Sequence, residues 1–375
     1  MGFKITIIAG ARPNFMKIAP VIHAIQKVKE TGKDLHFRLV HTGQHYDNNM
    51  SGSFFKQLQI PIPNVNLECS GGTQAEQTAS ILVKFEKELK ANTADMVLVV
   101  GDVTSTMACA LVAQKMNIEV AHIEAGIRSG DWTMPEEINR LITDSISNYF
   151  FTTSELANKN LLKSGVNEDQ IFFVGNTMID TLLKQRLNFT PPQVWKQLQL
   201  KQKSYIVMTL HRPSNVDEEV HFRSLLESII VFSRGLPIIF PVHPRTAKIL
   251  SRLKIVYPRL HTIDPLNYLE FNYLVENAKI VITDSGGITE EASILSVPCM
   301  TLRDNTERPE TITLGTNELV GRKPEKIKFY LDLLFNEKWK KGQAIPLWDG
   351  KAATRIVDAI LKISESKSYA LPPGS

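Results

Sequence analysis

Several ionisable residues in the first half of the chain have types and spacings suited to proton chemistry. "VVGDVTST" ends an apolar run on Asp102, "HIEAGIRSGD" ends the next on Glu124, and "MPEEINR" follows with Glu136, Glu137 and Arg140. "AGARPNFMK" brings Arg12 and Lys17 to the turn after the first apolar run, where positive charge would face a ligand. Carboxylates gathered in a closed cleft raise one another's pKa and so can act as acid and base near neutral pH. Plainer roles exist for each. Asp102 suits a helix cap, and Glu136 and Glu137 suit the first turn of a helix opened by Pro135. Acids and bases meeting at adjacent strand ends favour the chemical reading.

The second half is built for an anion. In "TDSGGITEEAS", a helix capped by Ser285 would point the N–H groups of Gly286, Gly287 and Ile288 outward at the positive end of its dipole. Glycines there let a phosphate approach the backbone. Glu290 and Glu291 stand about 100° apart in helical projection, so one faces the ligand while the other packs or is solvated. A carboxylate one turn below a phosphate is placed to accept two hydrogen bonds from a ribose diol. "RDNTERPET" suits a solvated charged loop, or else supplies Arg303 or Arg308 for a phosphate and Thr306 and Glu307 for a sugar. "TLHRPSNVD" and "PVHPRT" put His211 and His243 close to arginines at strand ends, as phosphate-binding donors. This half reads as a nucleoside-diphosphate binder. The chain as a whole has no GxxxxGK[ST], and no GxGxxG follows its first strand.

Elements that would position these groups follow from the apolar pattern. Short β-rich runs alternate with helical stretches: "KITIIAG", "HFRLVHTG", "DMVLVVGD", "EVAHIEAG" and "NYFFTTS", then "SYIVMTLHRP", "LPIIFPVHP", "LHTIDP", "AKIVITDSGG" and "VPCMTLRDNTERP". The alternation predicts α/β structure with parallel sheets, in two doubly wound Rossmann-like domains facing a deep cleft. Ligands of such sheets bind beyond the strands' carboxyl ends, where the unusual residues sit. The domains are expected at residues 1–177, joined by a C-terminal helix over 353–375, and at 178–352. "KQRLNFTPPQVWKQLQLKQKS" reads as a linker, and the tail "KSYALPPGS" as disordered.

Composition narrows the class. With 375 residues, 43% hydrophobic and 22% charged, the chain is long enough for two cores and ordinary for a globular protein. A net charge of +4 without basic runs gives no case for nucleic acid. Cys69, Cys109 and Cys299 are far apart, with no CxxC pair, which fits a reducing cytoplasm rather than zinc or disulfides. The first apolar run is too short for a signal peptide, and no window approaches a membrane span.

Taken together and in order, "GARPNFMK", "TGQHYD", "GDVTST", "HIEAGIRSGD", "PEEINR", "GNTMID", "HRPSNVD", "DSGGITEE" and "RDNTERPE" closely resemble the UDP-N-acetylglucosamine 2-epimerase family of the non-hydrolysing bacterial type. The resemblance covers Gly10 to Glu310. It implies the GT-B fold, interconversion of UDP-N-acetylglucosamine and UDP-N-acetylmannosamine, no cofactor or metal, and a homodimer. It matches Asp102, Glu124, Glu136 and His211 to catalytic positions. Arg12, Lys17 and Arg140 match active-site cations. His243, Ser285, Gly286, Gly287 and Glu291 match UDP-binding positions, with Arg303, Thr306, Glu307 and Arg308 in the matching loop and Phe271 near uracil. Some members bind a second UDP-N-acetylglucosamine as activator near "TGQHYD", where Gln44 and His45 match. The chain departs from the pattern at Ala11, Pro213 and Ser214. A hydrolysing epimerase, or one acting on a related UDP-2-acetamido sugar, would use the same residues. A GT-B glycosyltransferase or a nucleotide-sugar sensor would have no need of the first-half acids.

Overall fold

The computed structural model describes residues 2–44, 52–242, 244–253 and 256–370. The chain forms two compact units, Met1–Thr181 with Pro346–Ser375, and Leu182–Ile345.

In the first unit seven parallel strands form one sheet: β1 (Phe3–Ala9), β2 (Leu35–His41), β3 (Val65–Asn66), β4 (Met96–Val100), β5 (Glu119–Ile123), β6 (Tyr149–Thr152) and β7 (Ile171–Phe173). Their order is β3-β2-β1-β4-β5-β6-β7, so the winding reverses between β1 and β4. Helices cover both faces, which is why β4, Met-Val-Leu-Val-Val, is buried at every residue. The register pairs Ile7 with Leu98 and Val100 with Ile123. Gly10, Gly101 and Glu124 therefore emerge together at one edge. Below them pack Ile8, Val40, Phe85, Val97 and Val99, each buried side chain contributing about 1.5–3 kcal/mol.

The second unit holds β8 (Ile206–Thr209), β9 (Ile238–Pro241), β10 (Leu260–Ile263), β11 (Ile280–Thr283), β12 (Cys299–Thr301) and β13 (Asn317–Leu319), ordered β10-β9-β8-β11-β12-β13. Here the winding reverses between β8 and β11. Thr209 pairs with Thr283 in register, and their hydroxyls bond at 2.7 Å. The chain thus leaves β8 and β11 side by side, toward His211 and Asp284. The core beneath contains Met208, Phe222, Leu226, Phe240, Ile282 and Met300.

Two expectations need correction. The stretch read as a linker is folded into the second unit: Val194 and Leu200 are buried, and the Trp195 ring meets those of Tyr205 and Tyr273 at 5.7 and 5.1 Å. Its polar composition hid a few apolar residues that suffice to dock it. The tail is not disordered from Lys367, because residues 367–370 continue the helix Ala352–Ala370, with Lys367 paired to Glu119; residues 371–375 lie outside the described residues. That helix is held by Asp180, whose carboxylate accepts from the amides of Ala352 at 3.1 Å and Ala353 at 2.7 Å. Burial pushes the Asp180 carboxyl up to about 6 against those two bonds.

Candidate active site

The helix Arg12–Glu30 leaves β1 through a tight turn. Ala11 has no capping side chain, and Asn14 substitutes: its Oδ1 accepts from the amides of Gly10 and Ala11 at 3.0 and 2.9 Å. Its amide donates to the Val100 carbonyl at 3.3 Å, tying this turn to the end of β4. One turn later Lys17 donates to the buried Glu124 Oε2 at 2.8 Å, in a partly buried ion pair. Glu124 follows β5 with φ +69°, a left-handed conformation that costs a residue with a Cβ about 1–3 kcal/mol. Gly101, at φ +70°, closes over this pair, and a Cβ there would stand 3.3 Å from Lys17 Nζ. Arg12 lies over the Phe54 ring, 5.2 Å from its centroid.

Asp102 follows Gly101. Its Oδ2 accepts from Arg140 Nη2 at 2.5 Å, and its carbonyl accepts from Asn139 Nδ2 at 2.9 Å. Arg140 also donates to Glu137 at 2.7 Å, and Glu137 accepts from the amides of Ser129 and Gly130 at 2.9 and 3.0 Å. Burial alone would push the Glu137 carboxyl up, but these donors and Arg140 outweigh it and hold it below the usual range. Glu137 is thus a brace for the loop and for Arg140, while its neighbour Glu136 is partly exposed. The partly exposed Asp102 and the buried Glu124 each face a cation, which offsets their charge.

A second network holds this edge from beneath. The fully buried His122 has both ring nitrogens on acceptors, Asp144 Oδ1 at 2.7 Å and the Gly101 carbonyl at 2.8 Å. Asp144 also accepts from Gly126 N at 3.0 Å and Arg128 Nη1 at 2.6 Å. Burial raises the Asp144 carboxyl, yet His122 and Arg128 outweigh it and keep it low. The peptide before Asp102 is therefore fixed by interior ions.

In the second unit Asp284 is fully buried just past β11. Its Oδ2 accepts from the amides of His211 at 3.0 Å and Arg212 at 2.9 Å, and from Asn215 Nδ2 at 3.0 Å. Oδ1 lies 2.9 Å from His211 Nδ1. Burial works against the Asp284 charge, but His211, Asn215 and Arg212 overcome it and hold the carboxyl below its ordinary range.

The helix Gly286–Ile294 begins beside this cluster. Ser285 is its N-cap residue, yet its side chain makes no capping hydrogen bond, so it does not occupy the first-turn N–H groups. A Cβ on Gly287 would meet nothing within 4 Å, whereas one on Gly286 would stand 2.7 Å from Glu307 Oε1. Glu307 pairs with Arg303 at 2.8 Å, and Thr306 Oγ1 accepts from the Arg308 amide at 3.0 Å. Arg308 is bonded to Glu290, both buried, so Glu290 is the packing member of the acidic pair. Glu291 is also buried. Desolvation raises its carboxyl to about 7, opposed by the side chains of Tyr268 and Asn272 and reinforced by Glu290. Phe271, on the same helix Tyr268–Asn277, is partly exposed rather than a core residue.

Gln44 is turned inward: its Oε1 accepts from Ser105 N at 3.0 Å and Ser105 Oγ at 2.8 Å, at the start of the helix Thr104–Lys115. His45 and His243 lie outside the described residues. Sequence reasoning missed Asn14, His122, Asp144, Asn215 and Asp284. Asp284 had a signal, an acid at a strand end beside the glycine turn; His122 and Asp144 had none, since nothing in their spacing marks them as partners.

Residues 26–361 match the family model described as UDP-N-acetylglucosamine 2-epimerase. A UDP-N-acetylglucosamine 2-epimerase of Methanocaldococcus jannaschii is 43% identical over 367 residues, covering 94% of this chain and 98% of its own. A UDP-2,3-diacetamido-2,3-dideoxy-D-glucuronate 2-epimerase of Pseudomonas aeruginosa is 40% identical over 321 residues, 85% of this chain and 88% of its own. Among solved structures, the Methanocaldococcus jannaschii UDP-GlcNAc 2-epimerase in complex with UDP-GlcNAc and UDP superposes with a TM-score of 0.86 at 41% identity, over 96% of this chain and 100% of that one.

Proposed function

The chain belongs to the UDP-N-acetylglucosamine 2-epimerase family, and from that membership we propose that it interconverts UDP-N-acetylglucosamine and UDP-N-acetylmannosamine without net hydrolysis. The observation that carries the reading is the paired set Asp102–Arg140 and Glu124–Lys17, held at the carboxyl edge where the first sheet reverses its winding. A module that only bound nucleotide would have no use for acids braced in this way.

The C2 proton is not α to a carbonyl, so it becomes acidic only as the C1–O bond to UDP weakens. A carboxylate from the set Asp102, Glu124 and Glu136 takes that proton. The C–H pair becomes the C1=C2 bond of 2-acetamidoglucal, and the C1–O pair leaves on the diphosphate. Returning a proton to the opposite face of C2 and UDP to C1 completes inversion. Nucleotide binding belongs to the second unit. The Ser285–Gly287 turn and His211 take diphosphate, Glu291 takes the ribose hydroxyls, and Phe271 lies toward uracil. Arg12 supports the sugar end of the ligand.

Incubation with UDP-N-acetylglucosamine in heavy water will give deuterium at C2 in both UDP-sugars. Absence of C2 exchange in the folded, UDP-binding protein would sink the epimerase reading; accumulation of free N-acetylmannosamine would instead select hydrolysis. The Pseudomonas aeruginosa relative favours a second reading, a related UDP-2-acetamido sugar as substrate, and the same exchange assay run on that sugar ranks the two by kcat/KM.

We also place the protein in the cytoplasm, with Cys69, Cys109 and Cys299 all buried as free thiols and no described helix long and apolar enough to cross a membrane. Ile138 and Ile142, one turn apart on the helix Pro135–Ile146, and Trp132 in the preceding loop are exposed by 42%, 36% and 71%. A second copy of the chain covers this face. Light scattering will give a dimer mass, and Ile138→Asp will give a monomer with unchanged circular dichroism. A monomeric wild type at tens of micromolar would refute the dimer.

A further inference from the structure

We propose that Asp284 is a positioning residue for this reaction: it keeps the His211 ring proton on Nδ1 and presents Nε2 outward as the atom that meets the ligand. Asp284 Oδ2 is already loaded by the amides of His211 and Arg212 and by Asn215 Nδ2. An ionised carboxylate has no proton to give, so across the 2.9 Å from Oδ1 to Nδ1 the ring must be the donor. The acid is fully buried, while the His211 side chain is 55% exposed. The ring is therefore anchored at one nitrogen and open at the other. The backbone beneath it is gripped by the same carboxylate, at the point where the second sheet reverses its winding.

The inference rests on the assignment of His211 to the diphosphate made above. In the ring protonated on both nitrogens, Nε2–H donates to a diphosphate oxygen. As the C1–O bond breaks, its electron pair passes to that oxygen, and the Nε2 proton follows along the hydrogen bond. The ring is left neutral with its remaining proton on Nδ1, still facing Asp284. Re-addition runs the same transfer backward. Asp284 keeps the ring in the one tautomer that can repeat this cycle, and its charge offsets the imidazolium.

Asp284→Asn makes a sharp test. The three donors on one side claim the carboxamide oxygen, which leaves the NH2 group against Nδ1. Nδ1 must then accept, and the ring proton moves to Nε2. In full-length protein labelled with 15N-histidine, the His211 signals, assigned by their loss in His211→Asn, will show the neutral wild-type ring protonated at Nδ1 and the variant ring at Nε2. C2 exchange will fall about 100-fold or more in Asp284→Asn, mostly in kcat. In a His211→Asn background the same change will cost less than about twofold, because the group it positions is gone. A wild-type neutral ring protonated at Nε2 would overturn the proposal, as would a full additional loss in the double variant. The wild-type spectrum decides the tautomer even where the variant does not fold. It needs no substrate, so failure of the epimerase reading would show separately, as absent C2 exchange in the wild type.

Discussion

Asp102→Asn will abolish exchange of the C2 hydrogen, by about 1,000-fold or more, while UDP binds with affinity within a few-fold of wild type. The expectation follows from how Asp102 is held. Its carbonyl is fixed by Asn139 Nδ2, and the Gly101 carbonyl before it by His122, so neither contact involves the carboxylate. A carboxamide has the same shape, and its oxygen can still accept from Arg140. Arg140 also retains Glu137 as a counter-charge. What disappears is an anionic group able to take and return a proton. Solvent-exchange NMR and calorimetric UDP binding on one preparation check both halves. Collapse of UDP affinity would make Asp102 a nucleotide ligand or a structural residue; unchanged exchange would remove it from the proton chemistry.

The second large effect concerns Glu291 and pH. With no ligand its burial holds the carboxyl near 7, well above the ordinary 4.5. The folded state therefore keeps a proton that the unfolded chain releases above about 4.5. The stability this contributes is fully present below pH 4.5 and is lost as pH rises toward 7, since ∂ΔG/∂pH is negative wherever the native state holds more protons. A ribose diol donates two hydrogen bonds to the carboxylate and favours its charged form, which reverses the balance. UDP binding will thus release a proton near pH 6.5. Affinity will weaken by up to about tenfold for each pH unit below 7. UDP's own phosphate titrates in this range, so the decisive quantity is wild type minus Glu291→Gln, measured by calorimetry in two buffers of different ionisation enthalpy. Glu291→Gln will bind UDP about 10–100-fold more weakly at pH 8, as expected for loss of a charge-assisted bond. Without ligand it will melt higher than wild type at that pH. Equal proton release in both proteins, or unchanged UDP affinity, would remove Glu291 from the ribose.

The central strands were legible because a strand covered on both faces is a continuous apolar run, as β4 is. The strands not anticipated, β3, β7 and β13, are two or three residues long and lie at sheet edges, too short to carry a periodic signal. The positions of the site residues were legible for a related reason: polar residues directly after apolar runs must stand at strand ends, and "DSGG" declared its turn through its glycines. The side-chain partners were not. Lys17 meets Glu124 across 107 residues, Arg140 meets Asp102 across 38, and His211 meets Asp284 across 73. Composition and periodicity are properties of neighbours along the chain. The sequence therefore determined two parallel α/β sheets and which acids and bases stand at their carboxyl ends. Only tertiary structure decided which cation each acid meets, that Glu137 and Asp284 serve as braces, and that burial holds Glu291 near neutrality, because desolvation and charge pairing depend on what the fold brings within a few ångströms.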